Sequence, residues 1–427
     1  MKISLYIFTI LLLFLTGCTA HPVEVALTST PFATSFPTST FTPISPSATP
    51  TITVTPTTTP DAYLTVDCLD VLPVLPEIVQ LQGTLALGTF FGKTNQAYLF
   101  NLETGSKIPL LGRDDEILRA FSVSPDSRWL AYTSSRTKEN WTDRLVIMGV
   151  DGQPVKDRLI STREWVYMDG WLDNQNLIFE KYDPVNWSRY GGPLSTIIYN
   201  AFTSQQEEIK PGYPGMLNSG LRIWGWPYTQ TVYDPTLSLV AYPLNDWAII
   251  LWDRENNKEI ARFPKTSDTV FDTIPVWSPD GRLMLIINPP ASESIGEIYS
   301  VSADGIVTRL TYFANSPSNI LPKFLRWSPD MKSVAFWLVE NEVPRLVVLD
   351  LKTKFVTNYC LEGMESHKNM SGLLAAPIWS PDSKNLLINI PDGIDKALVV
   401  VVNIEQNYAA QLTEGMLVMG WLSNEQK

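Results

Sequence analysis

One short phrase recurs through this chain and limits what the chain can fold into. It reads Trp277-Ser278-Pro279-Asp280-Gly281, Trp327-Ser328-Pro329-Asp330 and Trp379-Ser380-Pro381-Asp382, with a copy lacking the indole at Val123-Ser124-Pro125-Asp126. Each copy is followed by one variable residue, then a basic one (Arg282, Lys332, Lys384, Arg128), then an apolar run of strand length. Proline presets φ, glycine takes a positive φ, and the Asp side chain caps nearby backbone N–H groups, so the phrase is turn chemistry between two strands.

Aligning on the aromatic gives seven copies, at Val123, Trp171, Tyr233, Trp277, Trp327, Trp379 and Trp421. They stand about 40–60 residues apart, the period of a four-stranded propeller blade with loop insertions. The fifth unit shows the full pattern. A strand ends at Trp277, a second runs from Leu283, a third from Glu297, Asp304-Gly305 turns the chain, and an outer strand follows from Val307. The first unit, from Thr84, lacks an inner strand, whereas Leu417 to Ser423 is a spare one. The spacing therefore predicts an all-β, seven-bladed propeller over residues 80–427, closed by pairing of strands from both ends. Six blades is the alternative, if the weak third or fourth unit is a distorted insertion.

The N-terminus carries an address. Met1-Lys2 is followed by an apolar run from Ile3 to Leu15, the length of a signal-peptide core and short for a membrane span. Leu15-Thr16-Gly17-Cys18 resembles a bacterial lipobox, which implies cleavage of residues 1–17 and acylation of Cys18. An ordinary secretory signal with an incidental cysteine is the other reading. Residues 18–60 turn to Thr, Ser and Pro, a composition that buries too little to fold and suits a disordered stalk; residues 61–79 form a lead-in. The expected location is outside the cytoplasm, anchored by lipid to a bacterial membrane, at the cell surface or in the periplasm. With Cys18 modified, Cys68 and Cys360 remain, either bridged or as two free thiols.

Repeats of this wording resemble the WD-like propellers of TolB-type periplasmic proteins and of prolyl-oligopeptidase-class peptidases. The resemblance spans about residues 80–423 and implies fold more than function. The peptidase branch implies a hydrolase domain, for which the chain is expected to have no room, and no Gly-x-Ser-x-Gly elbow is present.

Other chemistry is sparse. Two histidines, His21 and His367, disfavour His-based triads and multi-His metal sites. No phosphate-cradling glycine loop occurs, so neither cofactor nor metal is expected. The net charge of -12 disfavours a nucleic-acid partner. Asp126, Asp280, Asp330 and Asp382 are the most regular acids, and their shared turn position marks them as structural.

Function is therefore sought in the connections after second and fourth strands, which leave the face opposite the turns. Loops read at 136–143, 162–168, 180–193 and 209–231 carry Trp141, Trp165, Trp187, Tyr190, Tyr213, Trp224, Trp226 and Tyr228. Such aromatics stack on sugars or hold an apolar peptide; alternatively they plug the channel or cover a blade as local core. The expectation is a non-catalytic module for a protein or polysaccharide partner. A carbohydrate-active propeller enzyme and a structural part of an envelope complex are the alternatives.

Overall fold

The computed structural model describes residues 64–65, 68–76, 80–89, 96–111, 116–136, 144–159, 165–182, 195–210, 212–214, 231–244, 248–263, 275–288, 296–313, 320–361, 364, 375–391 and 397–424. Seven antiparallel meanders of four strands form a ring, a seven-bladed β-propeller. Inner strands of blades two to seven are Glu116–Val123, Trp165–Trp171, Val232–Tyr233, Val276–Trp277, Ile320–Trp327 and Ile378–Trp379. Blade one takes its inner strand, Leu417–Leu422, from the far end of the chain; it pairs with Thr84–Gly88 through Thr84↔Leu422, Leu85↔Trp421 and Ala86↔Gly420.

The ring is held by apolar side chains between successive sheets. Residues alternate along each strand, so both faces of a blade are apolar and each must be covered by a neighbour. Ala131, Leu145 and Ile147 of blade two meet Leu177, Phe179 and Tyr199 of blade three. Equivalent clusters join the other blades in turn. The last, with Leu387, Val399 and Val401 against Leu85, Val418 and Trp421, joins blade seven to blade one and completes the circle. Buried Asn389 of blade seven grips the closing strand, donating to Val418 O at 3.0 Å and accepting from Val418 N at 2.8 Å.

The lead-in does more than its composition indicates. Leu64–Thr65 pairs in parallel with Thr357–Asn358, and Val71–Leu72 with Ala409–Ala410, giving blades six and seven a fifth strand. Between these short strands, Cys68 and Cys360 form a disulfide with Cα atoms 4.3 Å apart.

Two loop readings need correction in blade three. Residues 165–168 are strand: Trp165 and Tyr167 pair with Tyr182 and Glu180, so the second strand also extends to Tyr182. The physical reason is pairing between neighbours, which extends both strands through a polar stretch, Glu180-Lys181, that reads as loop by itself. The connections after second and fourth strands in this region are therefore residues 183–194 and 210–231.

Candidate functional site

The repeated phrase forms the same local structure in each blade that carries it. The Ser hydroxyl donates to the Asp Oδ1 at 2.5–2.7 Å in the four copies at Ser124, Ser278, Ser328 and Ser380. The same Oδ1 accepts the N–H of the basic residue at 3.1–3.2 Å. The Ser Oγ accepts the N–H that opens the second strand, at 2.9–3.1 Å. The residue after Asp takes a left-handed φ: 71° at Gly281, and 60°, 59° and 63° at Ser127, Met331 and Ser383. Blade four permutes the roles, with Asp234 in the serine's place accepting Leu239 N at 2.6 Å.

These acids are occupied by their own turns. Partial burial pushes the Asp280 carboxyl up, but hydrogen bonds from Ser278 and Arg282 N–H outweigh it, and the net lies below the usual carboxylate range. Asp330 behaves alike through Ser328 and Lys332. Asp330→Ala is expected to lower stability by ~0.5–2 kcal/mol, as for loss of a capping side chain; a thermal melt with linear-extrapolation denaturation measures it. Because the folded pKa is depressed, the Asp contribution holds above the unfolded pKa and is lost as pH falls through the folded one.

The indoles tie blade to blade. The Trp171 N–H donates to Ser122 O at 3.0 Å, Trp277 to Val232 O at 3.2 Å, Trp327 to Val276 O at 3.2 Å and Trp379 to Arg326 O at 3.1 Å. Each acceptor lies on the preceding blade's inner strand, one residue before its aromatic position. Trp421 donates instead to Gln82 O at 2.9 Å, beside the closing pair.

Inside this circle lies a central channel of about 650 Å³, walled by inner strands and by turn residues including Pro125, Pro235, Pro279 and Pro329. The position before each aromatic lines the wall as one tier in every blade but the third. Its occupants, blade by blade, are Gly420, Ser122, Gly170, Val232, Val276, Arg326 and Ile378. Six are small or apolar; Arg326 alone is charged. Its side chain lines the channel and is exposed to the solvent there, while the protein around it draws its pKa down. Among the described residues its side chain makes no hydrogen bond or ion pair.

The second charge-bearing group on the wall is Asp169, across the ring in blade three. It is the extra residue of a bulge between Met168 and Gly170, a device that re-aims a side chain. Its Oδ1 is buried with no hydrogen-bond partner. Burial, with the Glu180 carboxyl nearby, pushes its carboxyl well above the usual range. Thr231 Oγ1, also on the wall, is buried and unpartnered too. Among the described residues no cluster of three metal-ligating side chains occurs.

Tyr213 is half-buried and packs on the core. Its ring stacks on Tyr242 with centroids 5.0 Å apart, and its hydroxyl lies 3.5 Å from that of Tyr233. Here the local-core reading of the aromatic applies. Trp165 lies in the inner strand of blade three, with its side chain outside the described residues. Cys18, Trp141, Trp187, Tyr190, Trp224, Trp226 and Tyr228 lie outside them altogether.

Arg326 and Asp169 lie outside the regular columns of the repeat, so its wording does not point to them. The signal was the column beside the aromatics: read in register, it holds one arginine among glycine, serine and aliphatics.

No protein-family model matches the chain, and no curated protein matches it. Solved structures do. An oligogalacturonate lyase in complex with manganese has TM-score 0.53 at 16% identity, over 76% of this chain and 87% of that one. TolB from Acinetobacter baumannii gives 0.46 at 13%, over 81% and 68%, and the periplasmic gluconolactonase of Pseudomonas aeruginosa 0.45 at 14%, over 80% and 98%. The chain spans about half, 48%, of a prolyl endopeptidase that it also matches. At such identities the likeness is one of fold, the β-propeller.

Proposed function

We propose that this chain is an extracytoplasmic binding propeller, held to a bacterial membrane by lipid on Cys18 and presenting its turn-free face to a protein or cell-envelope polysaccharide. The carrying observation is the asymmetry between its two faces. On one, the Ser-Pro-Asp turns close on their own hydrogen bonds. From the opposite ends of the strands leave the connections 183–194 and 210–231, which hold Trp187, Tyr190, Trp224, Trp226 and Tyr228. Long connections on a rigid scaffold are where binding residues concentrate, and aromatic anchors dominate interface energetics.

Binding is favoured over glycoside cleavage by the acids in view. Hydrolysis of that kind uses two carboxyl groups flanking the bond, roughly 5–9.5 Å apart. Among the described residues the channel wall offers one carboxyl, Asp169, facing a guanidinium.

The test compares residues 61–427 with the Trp187/Trp224/Trp226→Ala variant on a glycan array and against solubilised envelope fractions. The expected result is a wild-type ligand whose binding falls at least tenfold in the variant while the melting temperature holds. Equal binding by both proteins would contradict the loop-face reading.

A further inference from the structure

We infer that the central channel is a binding site for a small monovalent carboxylate, anchored by the guanidinium of Arg326. The inference stands on the wall of the channel and is independent of the loop-face reading.

The repeat itself supplies the first argument. Seven blades place seven equivalent residues around the channel, and packing needs nothing more at that tier than Gly, Ser, Val or Ile, as six blades show. An arginine there adds nothing to the turn or the indole bond, because Trp379 uses the backbone carbonyl of residue 326 and not its side chain. Val276 and Ile378, in the adjoining blades, present aliphatic neighbours on either side.

Electrostatics supplies the second. The Arg326 side chain is exposed to the channel, and among the described residues no counter-charge occupies its N–H donors. Asp169 lies across the ring, where burial and the Glu180 carboxyl favour its protonated form. The described wall therefore carries one positive charge without an ion pair, that of Arg326. One negative charge neutralises it. A doubly charged phosphate would leave one negative charge uncompensated on this wall. The planar fork of the guanidinium also matches a carboxylate in bidentate fashion.

Size and position agree. A volume of about 650 Å³ lies within the range of small-molecule sites, which are mostly apolar with a few convergent polar groups. As in the inner strands of blades one, two and three, the register shifts in blade six, here between Lys323 and Arg326, where Phe324 takes a φ of 57°.

Five tryptophans line the channel, Trp171, Trp277, Trp327, Trp379 and Trp421, so indole fluorescence reports on occupancy. The experiment titrates residues 61–427, disulfide intact and at low salt, with acetate, lactate, benzoate and glucuronate. Inorganic phosphate and chloride are the reference anions, and fluorescence and calorimetry are the readouts. The expected result is one-to-one binding of at least one carboxylate, at least tenfold tighter than phosphate or chloride. Arg326→Met is expected to lose it at least tenfold, and Arg326→Lys to retain part of it. In anion-free buffer Arg326→Met should melt no lower than wild type, since the exposed Arg326 side chain makes no hydrogen bond or ion pair among the described residues, whereas a structural arginine would give a lower melting temperature. The Trp187/Trp224/Trp226→Ala variant should bind the carboxylate as wild type does. No carboxylate binding by the wild type, equal binding by Arg326→Met, phosphate as the tightest anion, or a lowered Arg326→Met melting temperature would each overturn the assignment.

Discussion

A chain stopped at Met416 should fail to hold the propeller. The missing segment contains Leu417–Leu422, the inner strand of blade one, which pairs along Thr84–Gly88. Its Val418, Trp421 and Leu422 are 3%, 2% and 0% exposed; the first two complete the cluster between blades seven and one, and Leu422 belongs to that between blades one and two. Burying each large apolar side chain is worth about 1.5–3 kcal/mol, and the strand's ladder and the Asn389 grip on Val418 are lost with them. That sum is comparable with the ~5–15 kcal/mol net stability of a domain. Truncation also leaves Thr84–Gly88 as an uncovered edge able to pair with other chains. The expected outcome is loss of the cooperative melt and of near-ultraviolet circular dichroism, with aggregates on size exclusion. A monomer melting at the wild-type temperature would show that the ring does not depend on this closure.

Reducing the disulfide should produce the second large effect. Cys68 and Cys360 are 292 residues apart, so the bond closes a loop spanning most of the ring. Loop-closure entropy assigns roughly 5–6 kcal/mol to such a loop, while measured losses for native disulfides are typically ~2–5 kcal/mol. The local structure adds to the argument. Leu69 N donates to Cys360 O, and the short strands at Leu64–Thr65 and Val71–Leu72 flank the bond. Two-residue parallel strands have little stability of their own, so release of the bond should free them and uncover the outer edges of blades six and seven. Denaturant melts with and without reductant, and of Cys68→Ser, should show a loss of ~2–5 kcal/mol. Superimposable curves would mean that the bond constrains little.

The ring was legible in the sequence because its turn chemistry is local. Ser278, Pro279, Asp280 and Gly281 encode their turn within a few residues, and counting such turns predicts seven blades and the closing role of Trp421. What escaped reading depends on residues distant in the chain. Leu64–Thr65 is too short to show any periodicity, and only the outer strand of blade six makes it a strand. The inner strand of blade three extends back to Trp165 because Tyr182 and Glu180 pair with it, a register no local pattern reveals. Tyr213 reads as a loop aromatic until Tyr242 stacks on it from the next blade. Asp169 is one more acid until a bulge and the closure of the ring bury it. Arg326 is the instructive case: the information was present, one column from the Trp, and needed the seven copies set in register.

The same register divides the residues of the repeat by role. Trp, Ser and Asp of the phrase bind neighbouring blades and their own turns, and the irregular member of the adjoining column is left to meet a ligand. That division is tested most directly by measuring melting temperature and carboxylate affinity together in Asp330→Ala and Arg326→Met. The account predicts that Asp330→Ala loses ~0.5–2 kcal/mol of stability and binds as wild type, whereas Arg326→Met keeps or gains melting temperature and loses binding. An Asp330→Ala protein that melts like wild type yet no longer binds would contradict it.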